Sequence, residues 1–128
     1  MSESAGKYMK TIYVLMQSGG CVHSVDVARR LGVTKASVSN AMANLRKSGL
    51  ISMKEDGEIV FTKAGKKAAV DIYERQVLLS RFLKRIAGVD GATADLDAER
   101  IEHFLSNSTF EGIKRFIEKS PDPCPAVD

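Results

Sequence analysis

The sequence predicts a mainly α-helical chain with a small β wing, organised as a winged helix-turn-helix domain followed by a helical domain. Two observations predict this fold. Residues 24–50 contain two short amphipathic helical patterns that meet at Gly32. Directly after them, two short alternating runs flank Asp56-Gly57, a dipeptide that favours a hairpin turn. A hairpin directly behind such a helix pair is typical of a wing.

The first helix of the pair is predicted to begin at Ser24, a residue type suited to an N-cap. Its apolar stripe comprises Val25, Val27, Ala28 and Leu31. Gly32 stands where a helix exit requires positive φ. Thr34 is predicted to cap the second helix, whose buried positions are Val38, Ala41, Met42 and Leu45.

The opposite face of the second helix carries short polar and basic side chains, namely Lys35, Ser37, Ser39, Asn40 and Asn44. Such groups approach base edges in the DNA major groove without steric cost, and an Asn can bind adenine with two hydrogen bonds. We therefore predict that this helix reads DNA. The alternative is a solvated helical hairpin with an ordinary polar surface.

The predicted wing consists of strands at residues 51–54 and 58–61. Wings normally lie along the phosphate backbone, and Lys54 and Lys63 are the basic side chains best placed for that contact. After the wing, Thr62 is predicted to cap a third, long helical pattern, with Gly65 tolerated near its start.

Length and charge agree with a DNA-binding domain (1–64), a helical dimerisation and metal-binding domain (65–120) and a mobile tail (121–128). Residues 1–64 hold nine Lys/Arg and five Asp/Glu, a balance of +4, whereas residues 65–128 hold ten and eleven, a balance of −1. The positive half contains the predicted DNA reader, as phosphate binding requires.

Several function classes lack support in the sequence. No apolar run approaches the ~18 residues of a membrane span, and no signal-peptide pattern begins the chain, so we expect a cytoplasmic protein. Cys21 and Cys124 lie too far apart to suggest a disulfide framework or a zinc knuckle. No nucleophile motif, phosphate loop or Ser/His/Asp arrangement is present, so we expect no enzyme activity.

The second half is predicted to form helices at about 64–86 and 95–105, and a third from Ser108 or Thr109 to about 119. Thr93 or Asp95 is predicted to open the middle helix. Three such helices cannot bury all of their apolar side chains by themselves, so we expect a homodimer. The expected contact residues are Phe82, Ile86, Ile101, Phe104, Leu105, Ile113 and Phe116.

One cluster in this half has metal-ligating chemistry. Glu99, Glu102 and His103 follow i, i+3, i+4 spacing, which places them on one face of a continuous helix. Two carboxylates and an imidazole suit a divalent transition metal such as manganese or iron. The alternative is a solvated helix face.

Much of the chain, about residues 5–120, resembles the DtxR/MntR family of metal-dependent transcriptional repressors. The resemblance rests on the segment 7–15, the helix-turn-helix and wing, residues 72–83, Gly88-Val89-Asp90 and Ile101-Glu102-His103. The short form resembles the manganese branch. The resemblance implies a homodimer that binds a palindromic operator when charged with divalent metal, with Glu99, Glu102 and His103 at three metal-site positions.

Three other family ligand positions hold poor ligands, namely Lys7, Lys10 and Gln76. One hypothesis is that the ammonium groups of Lys7 and Lys10 replace the metal's charge opposite the glutamates. Another keeps one weakly held metal at Glu99, Glu102 and His103, with water or Asp95 completing its shell.

Two functions therefore stay open at this level. The first is a sequence-specific transcriptional repressor that binds double-stranded operator DNA as a homodimer, with metal control retained, degraded or replaced. The alternative is a dimeric winged-helix interaction module without operator binding.

Overall fold

The computed structural model describes residues 2–119, and the tail predicted at residues 121–128 lies outside them. The predicted mainly helical fold with a small β wing is confirmed. The elements are α1 (Glu3–Gln17), α2 (Ser24–Leu31), α3 (Lys35–Lys47), β1 (Ile51–Met53), β2 (Ile59–Phe61), α4 (Lys63–Ala87), α5 (Gly91–Ile101) and α6 (Asn107–Lys119). Within the described residues, no helix combines the length and apolarity that a membrane crossing requires.

The chain divides into two compact units, residues 1–73 and residues 74–128. The first unit extends past residue 64, where the sequence predicted its boundary. Ala69 and Ile72 in the first turns of α4 explain the difference, because both pack with the apolar core of the first unit. The ring of Tyr73 also lies 5.3 Å from that of Tyr13 in α1.

The first unit is held together by apolar side chains from every one of its elements. Met9 and Ile12 of α1, Val27 of α2 and Val38 of α3 are completely buried. With eight residues in α2 and thirteen in α3, neither helix has the length that makes an isolated helix stable in water. The shared core therefore fixes both helices.

One member of the predicted stripe of α2 lies outside this core. Val25 is 46% exposed, whereas Val27 and Ala28 are buried. At about 100° per residue, Val25 lies more than a quarter turn from the centre of the stripe formed by Val27, Ala28 and Leu31.

The ends of α2 and α3 follow local chemistry. Gly32 adopts φ of 67° at the end of α2, and the Thr34 side chain caps α3, as the sequence predicts. At the start of α2 the N-cap is His23 and not Ser24. The Asp26 carboxylate at the third helical position accepts a 2.8 Å hydrogen bond from the His23 backbone N–H, which is the contact that the N3 residue makes in a capping box.

The wing is an antiparallel hairpin in which Ile51 lies opposite Phe61 and Met53 opposite Ile59. Its turn contains Asp56-Gly57, as predicted, and the Gly57 N–H donates to the Lys54 carbonyl at 2.9 Å. The Ile59 N–H donates to the Val22 carbonyl at 2.8 Å. The segment before α2 is therefore attached to the edge of the wing.

A junction at Thr62 joins the end of α3, the wing and the start of α4. The Thr62 hydroxyl donates to the Gly49 carbonyl at 2.6 Å and accepts from the Gly65 N–H at 3.0 Å. The Thr62 N–H donates to the Leu50 carbonyl at 3.1 Å. A Cβ atom at Gly65 would lie 1.7 Å from that carbonyl oxygen, so Gly65 is required here and not merely tolerated.

The second unit packs the C-terminal part of α4 with α5 and α6 around Leu79, Ala98 and Phe110. The buried Ser80 hydroxyl donates to the Asp95 carboxylate at 2.5 Å, which links α4 to α5. Three residues expected at a dimer interface instead pack against this core, namely Ile101, Leu105 and Ile113.

The helix boundaries of the second unit differ from the prediction. The Asp90 carboxylate accepts from the Thr93 N–H at 2.7 Å, so α5 begins at Gly91, four residues before Asp95. It ends at Ile101, and the predicted end near Leu105 is wrong. The Ser106 hydroxyl caps the start of α6 by accepting a hydrogen bond from the Thr109 N–H at 3.2 Å. The sequence predicted Ser108 or Thr109 as the residue that opens this helix.

Gly65→Ala tests the Thr62 junction. The added methyl group clashes with a backbone carbonyl, and we expect the free energy of unfolding to fall by about 3 kcal/mol. Urea unfolding followed by circular dichroism measures the change. Gly91→Ala is the matched control, because its Cβ meets no atom within 4 Å and the helical position favours Ala. Equal effects of the two substitutions would contradict the assigned role of Gly65.

Candidate nucleic-acid interface and metal-ligand residues

The exposed face of α3 is the candidate nucleic-acid interface. All five of its predicted contact residues are exposed, namely Lys35, Ser37, Ser39, Asn40 and Asn44. At about 100° per residue, Asn40 lies opposite the buried side chains of Val38 and Leu45, near the centre of the exposed face. Lys35 precedes the buried Met42 by seven residues and therefore lies near the margin of the face.

Sequence reasoning missed three residues of this face. Ala36, Ala43 and Lys47 are exposed and, with Asn40, follow a spacing of four, three and four residues. This spacing places all four in one row along the helix. A search for polar side chains passes over the alanines, although alanine methyl groups can contact thymine methyl groups. The spacing around Asn40 is the signal that could have identified them.

The first turn of α3 fixes one of the predicted contact residues. The Thr34 hydroxyl accepts from the Ser37 N–H at 3.1 Å and donates to the Ser37 hydroxyl oxygen at 3.0 Å. The Ser37 hydroxyl oxygen therefore accepts a hydrogen bond from Thr34, and its own O–H can donate to a further acceptor.

The wing turn is acidic. Residues 54–58 carry one Lys and three Asp/Glu, a balance of −2, and the Lys54 ammonium lies 3.3 Å from a Glu58 carboxylate oxygen. The Glu58 N–H donates to Asp56 at 3.0 Å and, with a smaller contribution from the charge of His23, holds the pKa of Asp56 below its ordinary value. Asp56 is therefore ionised at neutral pH.

The acidity of the turn also affects the neighbouring thiol. A hydrogen bond with the Glu58 side chain raises the pKa of Cys21, so this exposed thiol stays protonated at neutral pH. The turn as a whole repels phosphate, and its only lysine is already paired with a carboxylate. The phosphate contact predicted for Lys54 stays a prediction, and it requires release of Glu58.

The candidate metal ligands lie at the C-terminal end of α5. Glu99 lies within α5, whereas Glu102 and His103 lie in the turn after its last residue, Ile101. Glu102 keeps helical backbone angles and its N–H donates to the Ala98 carbonyl at 3.0 Å, so it stays on the face of Glu99, whereas the spacing argument for His103 assumed a helix that continues past it. Among residues 2–119, no group of three or more His, Cys, Asp and Glu side chains is arranged to hold a metal ion.

Glu102 is engaged by protein groups. The Arg75 Nε–H donates to Glu102 Oε1 at 3.0 Å, and His103 Nδ1 lies 3.3 Å from Oε2. A metal bound by Glu102 would have to displace a guanidinium group, which remains charged at every accessible pH. In this arrangement the side chains around Glu102 therefore do not fit a metal ion.

The remaining ligand positions of the family pattern fall in both units. Lys7 and Lys10 lie on α1 of the first unit, exposed and half-buried respectively. Gln76 is buried in the second unit and offers only an amide.

The second unit presents large apolar side chains to solvent. Phe104 is 81% exposed, Ile86 56% and Leu96 51%. The Phe116 ring is half-exposed and packs edge-on against Phe82, with centroids 5.9 Å apart. Phe82, Ile86, Phe104 and Phe116 had all been expected at a dimer interface.

Comparison with known proteins matches both halves of the chain. Residues 1–59 match the family "Iron dependent repressor, N-terminal DNA binding domain". Residues 62–128 match "Iron dependent repressor, metal binding and dimerisation domain".

Individual relatives extend this result. The transcriptional regulator MntR of Escherichia coli O6:H1 is 33% identical over 112 residues, which cover 88% of this chain and 72% of the relative. An uncharacterised HTH-type transcriptional regulator of Methanocaldococcus jannaschii is 28% identical over 95% of this chain and 98% of its own length.

Among solved structures, a manganese-dependent transcriptional repressor in complex with manganese is 27% identical with a TM-score of 0.82. The match covers 89% of this chain and 52% of the solved one, so this chain spans about half the length of that repressor.

Proposed function

This chain belongs to the iron-dependent repressor family, and on that premise we propose that it is a sequence-specific transcriptional repressor that binds operator DNA as a homodimer. The exposed row of Ala36, Asn40, Ala43 and Lys47 on α3 is the observation that carries the proposal. A core-anchored helix with small side chains around one amide can enter a major groove closely.

Each predicted contact has a separate role in this proposal. Asn40 reads adenine, and Ser37, Ser39 and Asn44 donate to or accept from base edges beside it. Lys35 at the start of α3, with Arg46 and Lys47 at its end, contacts phosphates. Lys54 of the acidic wing is a peripheral contact, so the helix-turn-helix supplies most of the salt-dependent affinity.

The homodimer is proposed to form through the second unit. Its exposed Phe104, Ile86 and Leu96 are apolar surface of the kind that marks a protein interface. The corresponding family domain carries dimerisation in its description. Two linked readers also suit a palindromic operator, because a twofold dimer meets two equal half-sites.

Metal control is the least determined part of the proposal. The family is metal-dependent, and manganese is named for several relatives. The metal site predicted at Glu99, Glu102 and His103 stays a prediction, and a metal at Glu102 would have to displace the guanidinium group of Arg75. The hypothesis that Lys7 and Lys10 supply the charge of a metal stays a prediction.

Binding-site selection from a pool of random DNA duplexes tests the DNA reader. We expect the wild type to enrich one palindromic sequence and Ser39→Ala/Asn40→Ala to lose that enrichment. A lost Asn–adenine contact removes roughly 1–3 kcal/mol of discrimination. Weak binding that falls with salt should remain in the variant, because its phosphate contacts are intact.

The matched control is Asn107→Ala/Ser108→Ala, which removes the same residue types from the exposed start of α6. It should enrich the wild-type sequence. If the wild type itself binds no duplex at any salt concentration, the interaction module replaces the repressor as the better assignment.

Light scattering of the full chain at micromolar concentration tests the dimer. We expect about twice the chain mass of 13.9 kDa. Phe104→Ser should shift the particle toward the monomer without loss of helicity, because this ring is mostly exposed. Val25→Ser, a comparable exposed apolar position in the first unit, should leave the mass unchanged. A wild-type monomer would contradict the assembly.

A further inference from the structure

Glu102 carries a buried charge in an unfavourable place. The residue is only 8% exposed, and it forms the C-cap of α5. The C-terminal end of a helix carries partial negative charge, which disfavours a carboxylate. A carboxylate withdrawn from water also loses its hydration, so this position requires a cation close by.

Arg75 supplies that cation from within the chain. Its Nε–H donates to Glu102 Oε1 at 3.0 Å, and both side chains are largely buried, with 21% and 10% exposure. Its guanidinium carbon lies 4.2 Å from the centre of the Phe110 ring. The guanidinium group is thus positioned by a hydrogen bond on one side and a cation–π contact on the other.

These contacts connect three separate elements of the second unit. Arg75 lies on α4, Glu102 in the turn after α5, and Phe110 on α6. The Phe110 ring also belongs to the core of the unit, with Leu79 and Ala98. One side chain therefore performs the bridging task that a metal ion performs when its ligands come from several elements.

We propose that Arg75 is a built-in cation that holds Glu102 and fixes α4, the turn after α5, and α6 without a divalent metal. The inference rests on the proposed function only in identifying this unit as the metal-binding one. It follows that the stability of the second unit does not depend on manganese binding at Glu102.

Thermal unfolding of the full chain tests this proposal. Arg75→Met keeps an unbranched, flexible side chain and removes its charge, and we expect the midpoint to fall on the order of 4–8 °C. Glu102→Gln should also lower the midpoint. Arg75→Met/Glu102→Gln should lose less than the sum of the two single changes, because no buried charge is left unpaired.

Arg100→Met is the matched control, because that guanidinium lies 3.9 Å from Asp97 with both side chains substantially exposed. Its midpoint should stay close to that of the wild type. Strict additivity of the Arg75 and Glu102 changes would overturn the proposal. If Arg75→Met does not fold, the midpoints of Glu102→Gln and Arg75→Met/Glu102→Gln test the proposal in its place. The proposal requires the double variant to fold.

A second arm compares unfolding in chelator with unfolding in manganese chloride. We expect no shift of the wild-type midpoint between the two. A midpoint that rises with manganese in the wild type, but not in Glu102→Gln, would show Glu102 to be a metal ligand and overturn the proposal. Both arms measure stability alone, so a failure of operator binding is distinguishable from either result.

Discussion

The hydrogen bonds of Thr62 fix the wing and the start of α4 to the segment that follows α3, the proposed reader helix. One hydroxyl connects the Gly49 carbonyl that follows α3 with the Gly65 N–H in the first turn of α4. The hairpin between these points is closed at its base, and Gly65 allows α4 to start in direct contact with the Leu50 carbonyl. Helix α3, the wing and the start of α4 therefore share one backbone junction, and within the first unit the side of α3 that carries Asn40 stays exposed.

The end of α3 is basic, whereas the wing turn is acidic. The reader helix ends in Arg46 and Lys47, whereas the wing turn is acidic and its Lys54 is paired with Glu58. A wing of this kind does not attract phosphate, so DNA binding through α3, as proposed, would depend on how closely that helix approaches the groove. Short side chains along α3 allow that approach, which makes specificity and affinity properties of the same helix face.

The features predicted from the sequence are those that adjacent residues determine. The Thr34 cap, the positive φ of Gly32, the Asp56-Gly57 turn and the Thr62 cap each depend on contacts within a few residues. The start of α5 was predicted wrongly because Thr93 and Asp95 have N-capping side chains like that of Asp90, the residue that caps the helix. Only the packed structure selects Asp90, where Ser80 of α4 engages Asp95 instead.

The contacts of the candidate metal ligands depend even more on residues that are distant in the sequence. Glu102 and His103 were identified as chemically notable from their spacing, but the partner of Glu102 lies 27 residues earlier in the chain. No local pattern pairs those two positions, because the pairing follows from the packing of α4 against the turn after α5. The alanines of α3 were missed for a different reason, since their contribution to a groove contact is steric and not polar.

A covalently attached cation differs from a metal ion in one respect that matters for regulation. A metal bridge forms and dissociates with the concentration of free metal, so its occupancy carries information. The guanidinium of Arg75 has a fixed effective concentration and keeps its charge at every accessible pH. If Arg75 holds Glu102, the order of the second unit does not depend on the concentration of free metal, and a metal signal that changes operator binding would act at other residues. The exposed apolar side chains of the second unit and the lysines of α1 are where such a signal would have to be sought.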